Sequence, residues 1–119
     1  MRSVITGTGM YIPPTTVDNH AQARVMDTSH EWIQVRTGIV ERHYAAPDQA
    51  TSDLAVPAAR QAIENAGLEL ADIDYVIFAT MTADYYFPGS APFLQRKLGL
   101  AQIPCLDIRQ QCAGFVYAL

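Results

Sequence analysis

The sequence predicts an α/β chain in which helices are layered on a mostly parallel sheet, and three observations predict it. Tyr75–Thr80 is nearly continuous in apolar character, as expected of a parallel strand covered on both faces. Ile103–Ile108 is a second strand-length apolar run, broken by Asp107. Helical segments lie between and after these runs, in βα alternation.

In chain order, Arg2–Thr8 alternates weakly around Val4 and Ile5 and reads as a short strand entering the Gly7-Thr8-Gly9 turn. A G-x-G after a strand invites a dinucleotide reading, but the third glycine is missing and Tyr11-Ile12-Pro13-Pro14 cannot start a helix. Glycines that let the chain turn and pack closely are the better account. Pro13–Asn19 is expected to be a loop, with Asp18 or Asn19 capping a short helix through Val25. Thr28-Ser29-His30-Glu31 fits a capping box with Thr28 as N-cap, so a helix is predicted from Ser29 to about Arg36, stopped by Gly38. Trp32, Val35 and Arg36 share one side of it. Exposed, the indole and guanidinium would hold a flat anionic ligand such as an adenine nucleotide; buried, they would be a core residue and its ion-pair neighbour.

Glu41-Arg42-His43 reads as a polar connection, and His20, His30 and His43 lack metal-ligand spacing. Thr51-Ser52-Asp53 opens the best-marked helix. Its alanine-rich stripe (Ala55, Ala58, Ala59, Ala62, Ala66) permits close approach, and Gly67 stops it. Pro57 is expected to kink that helix or move its start later. After Tyr75–Thr80 comes a loop ending in Tyr85-Tyr86-Phe87-Pro88, then a helix from Ser90 to Leu98 closed by Gly99. A loop after a parallel strand is where such folds place ligands or partners; its aromatic triplet would be an interface anchor if exposed and a lid on the core if buried.

The last stretch, IPCLDIRQQCAGFVYAL, puts Cys112 at the turn between a strand and a helix. A thiol at a helix N-terminus meets unpaired N–H groups that favour the thiolate, and Ala113 and Gly114 leave room for an acyl group. The competing reading is a buried structural cysteine. A helix opening at Cys112 has about two turns before Leu119 and no cap, so a further segment or companion polypeptide is expected to complete the unit.

The chain has 119 residues, is half hydrophobic and carries a net charge of −4, which fits one modest soluble domain. Twelve acidic residues outnumber eight scattered basic ones, so nucleic-acid binding has no support. No apolar run approaches membrane-spanning length. Two cysteines without a signal peptide fit a reducing, cytoplasmic setting.

The blocks ITGTGMYIP (5–13), DTSHEWIQVRTGI (27–39), ERH (41–43) and CAGFVYAL (112–119) together resemble beta-ketoacyl-acyl carrier protein synthase III, a ketosynthase of the thiolase fold. The resemblance covers essentially the whole chain, residues 1–119, as the first part of the N-terminal half of such an enzyme. It implies a thiolase-like layered α/β fold and Cys112 as the nucleophile that takes the acyl group from acyl-coenzyme A. That acyl group then condenses with malonyl-acyl carrier protein, with loss of carbon dioxide. It also implies Thr28, Trp32 and Arg36 around the adenine of coenzyme A, Phe87 reaching into the acyl pocket of a homodimer partner, and a buried central helix after Cys112. Coenzyme A enters as substrate, and neither a metal nor a separate cofactor is implied. The family's catalytic histidine and asparagine have no counterpart here. Arg109-Gln110-Gln111 stands where many members carry small residues, which leaves the acyl donor open. The same blocks leave room for another thiolase-fold condensing enzyme or acyltransferase, of the 3-hydroxy-3-methylglutaryl-coenzyme A synthase type or of secondary metabolism, and for a non-catalytic structural fragment.

Overall fold

The computed structural model describes residues 3–119 and divides into two compact units. One is Ile12–Asp48; the other is Gln49–Leu119 together with the N-terminal stretch through Tyr11.

The Ile12–Asp48 unit begins with β1 (Thr15–Asp18) and α1 (Asn19–Gln22), continues with α2 (His30–Thr37) and closes with β2 (Glu41–Tyr44), antiparallel to β1 with Thr15 opposite Tyr44. This pair replaces the expected loop at Pro13–Asn19 and the expected polar connection. Both strands are short and polar, so neither shows the alternation that marks a half-buried strand. Asp18 caps α1, its Oδ1 accepting from the Ala21 N–H at 2.7 Å, and the helix ends at Gln22 instead of Val25. Asn19, fully buried, ties the unit together. Its side-chain amide donates to the Ile39 carbonyl at 2.7 Å, and its Oδ1 accepts from Arg42 at 2.5 Å. Arg42 therefore pairs with this amide and with the Val17 carbonyl.

The second unit is built on α3 (Thr51–Asn65), β3 (Val76–Ala79), α4 (Ala91–Leu98), β4 (Cys105–Ile108) and α5 (Gly114–Ala118), with short 3-10 turns at Leu70–Asp72 and Gln111–Ala113. Strands β3 and β4 pair in parallel, Val76 beside Cys105 and Ala79 beside Ile108. Val76 and Phe78 point into a core formed with Ala91, Leu94 and Leu98 of α4, and Ala55, Val56 and Ala59 of α3 pack against it. On the opposite face of β3 Ala79 meets Gly114 of α5 while Ile77 is exposed, so among the described residues helices cover that face only in part.

Helix α3 runs from Thr51 through Pro57 without a later start, because Asp53 accepts from the Ala50 N–H and secures the first turn. Its alanine stripe receives the N-terminal segment at backbone distance. A Cβ on Gly9 would lie 2.0 Å from the Ala58 carbonyl oxygen, and one on Gly7 2.2 Å from that of Ala62. The glycines thus serve close packing. The expected strand does not form among residues 3–8, where Val4 and Ile5 are exposed, and Arg2 lies outside the described residues.

Helix α5 also departs from expectation. Gly114 is buried against Ala79, but Phe115, Val116 and Tyr117 are exposed, since among the described residues α5 meets chiefly β3, β4 and the turn before it. No helix among the described residues is long and apolar enough to cross a membrane.

Candidate active site and ligand pocket

Cys112 sits in the middle of the Gln111–Ala113 turn, four residues past the end of β4, and it is exposed. Within this chain the thiol is therefore not buried. The turn is sharp because Gln111 adopts φ 38°, a left-handed conformation that a residue with a Cβ enters at a cost, and the Ala113 N–H closes it on the Gln110 carbonyl at 2.9 Å. The thiol is therefore presented by a strained turn ahead of α5, not by the first residue of the helix itself. Gly114 has no room for a side chain larger than a close-fitting methyl: its Cβ would stand 3.2 Å from that of Ala79. The other cysteine is of a different kind. Cys105 is half-buried, its Sγ–H donates to Gln95, and burial together with the neighbouring Asp107 charge pushes its thiol up. An accessible thiol can attack; a raised, half-buried one is poorly placed to do so.

The loop between β3 and α4 is anchored by carboxylates. Asp107 accepts from the Ser90 N–H at 2.7 Å and from the Ala91 N–H, and Gly89 passes so close that a Cβ there would meet the Asp107 carboxyl carbon at 2.5 Å. Asp84 accepts from the Ser52 N–H, from the Ser52 hydroxyl and from the Ser90 hydroxyl, all within 2.5–2.9 Å. Lys97 completes the cluster, 2.6 Å from Asp53 and 3.8 Å from Asp84. Burial alone pushes the Asp84 carboxyl up, but the serine hydroxyls, the Ser52 N–H and the Lys97 charge outweigh it and hold it below its ordinary value. Asp53 is lowered as well, first by Lys97 and then by the Ala50 N–H. Between these anchors Tyr85 packs on Phe93 at 5.2 Å, while Tyr86 and Phe87 project outward, 90% and 87% exposed. The aromatic triplet is an outward feature, not a lid on the core.

In the Ile12–Asp48 unit, the N-cap of α2 is Ser29, not Thr28: its Oγ accepts from the Trp32 N–H at 3.1 Å, and Gly38 at φ 72° stops the helix one residue beyond Thr37. Glu31 therefore makes no capping box with Thr28. Its carboxyl is lowered by its own backbone N–H and by the Ser29 hydroxyl. Relieved of capping, the Thr28 hydroxyl is buried and has no hydrogen-bond partner. Thr28 lines an open pocket of about 350 Å³ with Asp27, Ser29 and Trp32. Trp32 is 58% exposed, and the Arg36 guanidinium lies over its ring at 5.6 Å. The exposed reading of this helix face is the observed one. A flat base between the two would need two contacts of about 3.5 Å each. The pair as it stands is closed, and Arg36 must swing aside to admit one.

The structure thus brings Thr28 and Trp32 to one pocket, with Arg36 on the indole, and sets Cys112 on its own turn in the other unit. The histidines are committed elsewhere: His20 and His30 stack at 5.0 Å, and the His43 Nδ1 lies 2.8 Å from the Pro13 carbonyl. Among the described residues no cluster of His, Cys, Asp or Glu is suited to a metal. Sequence reasoning overlooked the Asp84 and Asp107 anchors. Asp107 carried a signal, as a carboxylate inside an apolar run must be paired; Asp84 carried none.

No family model matches the chain. Curated relatives do. The chain is 49% identical over 120 residues to beta-ketoacyl-[acyl-carrier-protein] synthase III of Fusobacterium nucleatum, and 50% identical over 119 residues to the protein of the same name from Caulobacter vibrioides. In both cases 100% of this chain spans 37% of the relative. The 3-oxoacyl-[acyl-carrier-protein] synthase III from Aquifex aeolicus superposes with a TM-score of 0.89 at 38% identity, covering 96% of this chain and 37% of that one. The priming beta-ketosynthase from the R1128 polyketide biosynthetic pathway does so with a TM-score of 0.89 at 36% identity, covering 96% of this chain and 34% of that one. The fold is the thiolase-like α/β fold of these enzymes.

Proposed function

We propose that this chain, homologous along its whole length to the N-terminal part of beta-ketoacyl-[acyl-carrier-protein] synthase III, carries the acyl-accepting half of that enzyme's site. The observation that carries the reading is the accessible Cys112 on a strained turn at the end of a parallel strand. In the first step the Cys112 sulfur attacks the thioester carbonyl of acyl-coenzyme A. The bond to the coenzyme A sulfur breaks, that thiolate leaves and takes a proton, and the acyl group stays on Cys112. In the second step malonyl-acyl carrier protein loses carbon dioxide, and the resulting enolate attacks the Cys112 thioester. A carbon–carbon bond forms, the carbon–sulfur bond breaks, and 3-oxoacyl-acyl carrier protein departs. Donors that steady the enolate oxygen are required. His20, His30 and His43 are engaged within their own unit, so the histidine and asparagine of the reaction come from the remaining length of the enzyme or from a companion chain.

Thr28, Trp32 and Arg36 form the coenzyme A end of the site: the indole supplies a stacking face, Arg36 a movable cation and Thr28 a hydroxyl awaiting a partner. Phe87, exposed on its anchored loop, enters the acyl pocket of the second subunit of a homodimer. The enzyme works in the cytoplasm. A second reading, priming of a polyketide chain, is supported by the likeness to the R1128 ketosynthase. The test is release of free coenzyme A from a panel of acyl donors, followed by 3-oxoacyl product on adding malonyl-acyl carrier protein. Release and condensation are both expected; no release from any donor would overturn the proposal.

A further inference from the structure

The loop that carries Tyr86 and Phe87 is gripped twice by the strand that leads to Cys112. Asp107, in β4, holds the end of the loop through the Ser90 and Ala91 N–H groups. Arg109, two residues on and therefore on the same side of an extended chain, reaches its middle. There its Nη2 donates to the Tyr86 carbonyl at 2.7 Å, and the guanidinium lies over the Tyr86 ring at 4.9 Å. With Tyr86 and Phe87 so exposed, little else among the described residues restrains the two side chains. Arg109 and Tyr86 also border, with Met81, Thr82 and Ala83, an open cavity of about 420 Å³.

We propose that Arg109 is a positioning residue that fixes the Tyr86-Phe87 segment to the backbone entering the Cys112 turn, and so sets which acyl donors the site accepts. This rests on the ketosynthase reading above. The contact uses both properties of a guanidinium, a planar face for the ring and a directed N–H for the carbonyl, and a lysine ammonium supplies only a charge. Phe87 is proposed above to enter the second subunit's acyl pocket, so a shift of its segment changes how far it reaches there and alters the room for the acyl chain, not the chemistry of the thioester. Arg109 therefore acts on donor preference and leaves acyl transfer itself in place.

The test compares the natural, complete polypeptide with Arg109→Ala, Arg109→Lys, Tyr86→Ala and the double variant Arg109→Ala/Tyr86→Ala. Two quantities are read: hydrogen exchange across residues 84–90, and the ratio of kcat/KM for acetyl-coenzyme A to that for hexanoyl-coenzyme A. In Arg109→Ala the loop is expected to exchange about tenfold faster, as loss of a charged hydrogen bond and a ring contact implies. The donor ratio is expected to change at least about fivefold, an effect of about 1 kcal/mol. Arg109→Lys should not restore it, and the double variant should match either single one. Unchanged exchange would overturn the anchoring. Faster exchange with an unchanged ratio, or full rescue by lysine, would overturn the specificity role and leave the ketosynthase reading standing. A parent protein that accepts no acyl group from either donor would remove that reading, and this inference with it.

Discussion

Replacing Thr28 by valine separates a binding role from a structural one, because the two roles predict opposite signs. The Thr28 hydroxyl is buried beside the Trp32 pocket with no hydrogen-bond partner. An unsatisfied buried hydroxyl costs about 1–3 kcal/mol in the free protein, whereas a hydrogen bond it makes to a ligand returns about 0.5–1.5 kcal/mol. Valine keeps the branched shape and discards the polar atom. The free variant is therefore expected to be as stable as the parent or more so, with a gain of about 1 kcal/mol raising the melting temperature by about 2–4 °C. Coenzyme A should bind about two- to tenfold more weakly. Thermal melts without ligand, with calorimetric titration of coenzyme A on the natural polypeptide, read both. A lower melting temperature would mean that the hydroxyl supports the fold, and an unchanged Kd would remove Thr28 from the ligand pocket.

Other outcomes follow from the packing and the charges. Gly9→Ala places a Cβ 2.0 Å from the Ala58 carbonyl, a backbone atom that cannot yield, and should cost about 3 kcal/mol or more in chemical denaturation. Gly67→Ala meets open space at φ 67° and should cost only about 1–2 kcal/mol; equal losses would refute the close approach of the N-terminal segment to α3. The carboxyls of Asp84 and Asp53 are both lowered in the fold, so the native state binds fewer protons than the unfolded one and stability rises with pH through their titration. That contribution should be complete above about pH 4 and lost as pH falls below it, and Asp84→Asn should flatten the acid limb of the stability curve. An unchanged limb would show that the Ser52–Asp84–Ser90 cluster is not what acid breaks.

What the sequence made legible was chemistry carried by neighbours along the chain. Gly38, Gly67 and Gly99 all stop helices at positive φ, as their positions foretold, and Cys112 falls between strand and helix. The β1–β2 pair was hidden because its four-residue polar strands find each other across more than twenty residues, with no local alternation to announce it. Thr28 and Ser29 are both good N-caps, and only the backbone geometry shows that Ser29 takes the role. Residues 3–8 look like a strand yet form none, since a strand exists only by pairing and pattern alone supplies no partner. At the site, the residue type of Cys112 and its place after a strand pointed to the chemistry proposed for it. The left-handed Gln111 and the Arg109–Tyr86 contact, spanning 23 residues of sequence, could be seen only in three dimensions.

The central claim is that the exposed sulfur of Cys112 receives the acyl group. The most direct measurement is tandem mass spectrometry of peptides from the natural polypeptide after brief exposure to acetyl-coenzyme A. A 42 Da adduct, about the mass of an acetyl group less the displaced hydrogen, is expected on the peptide holding Cys112, and it should vanish in Cys112→Ser. An adduct on Cys105, or one that survives in Cys112→Ser, would contradict the account.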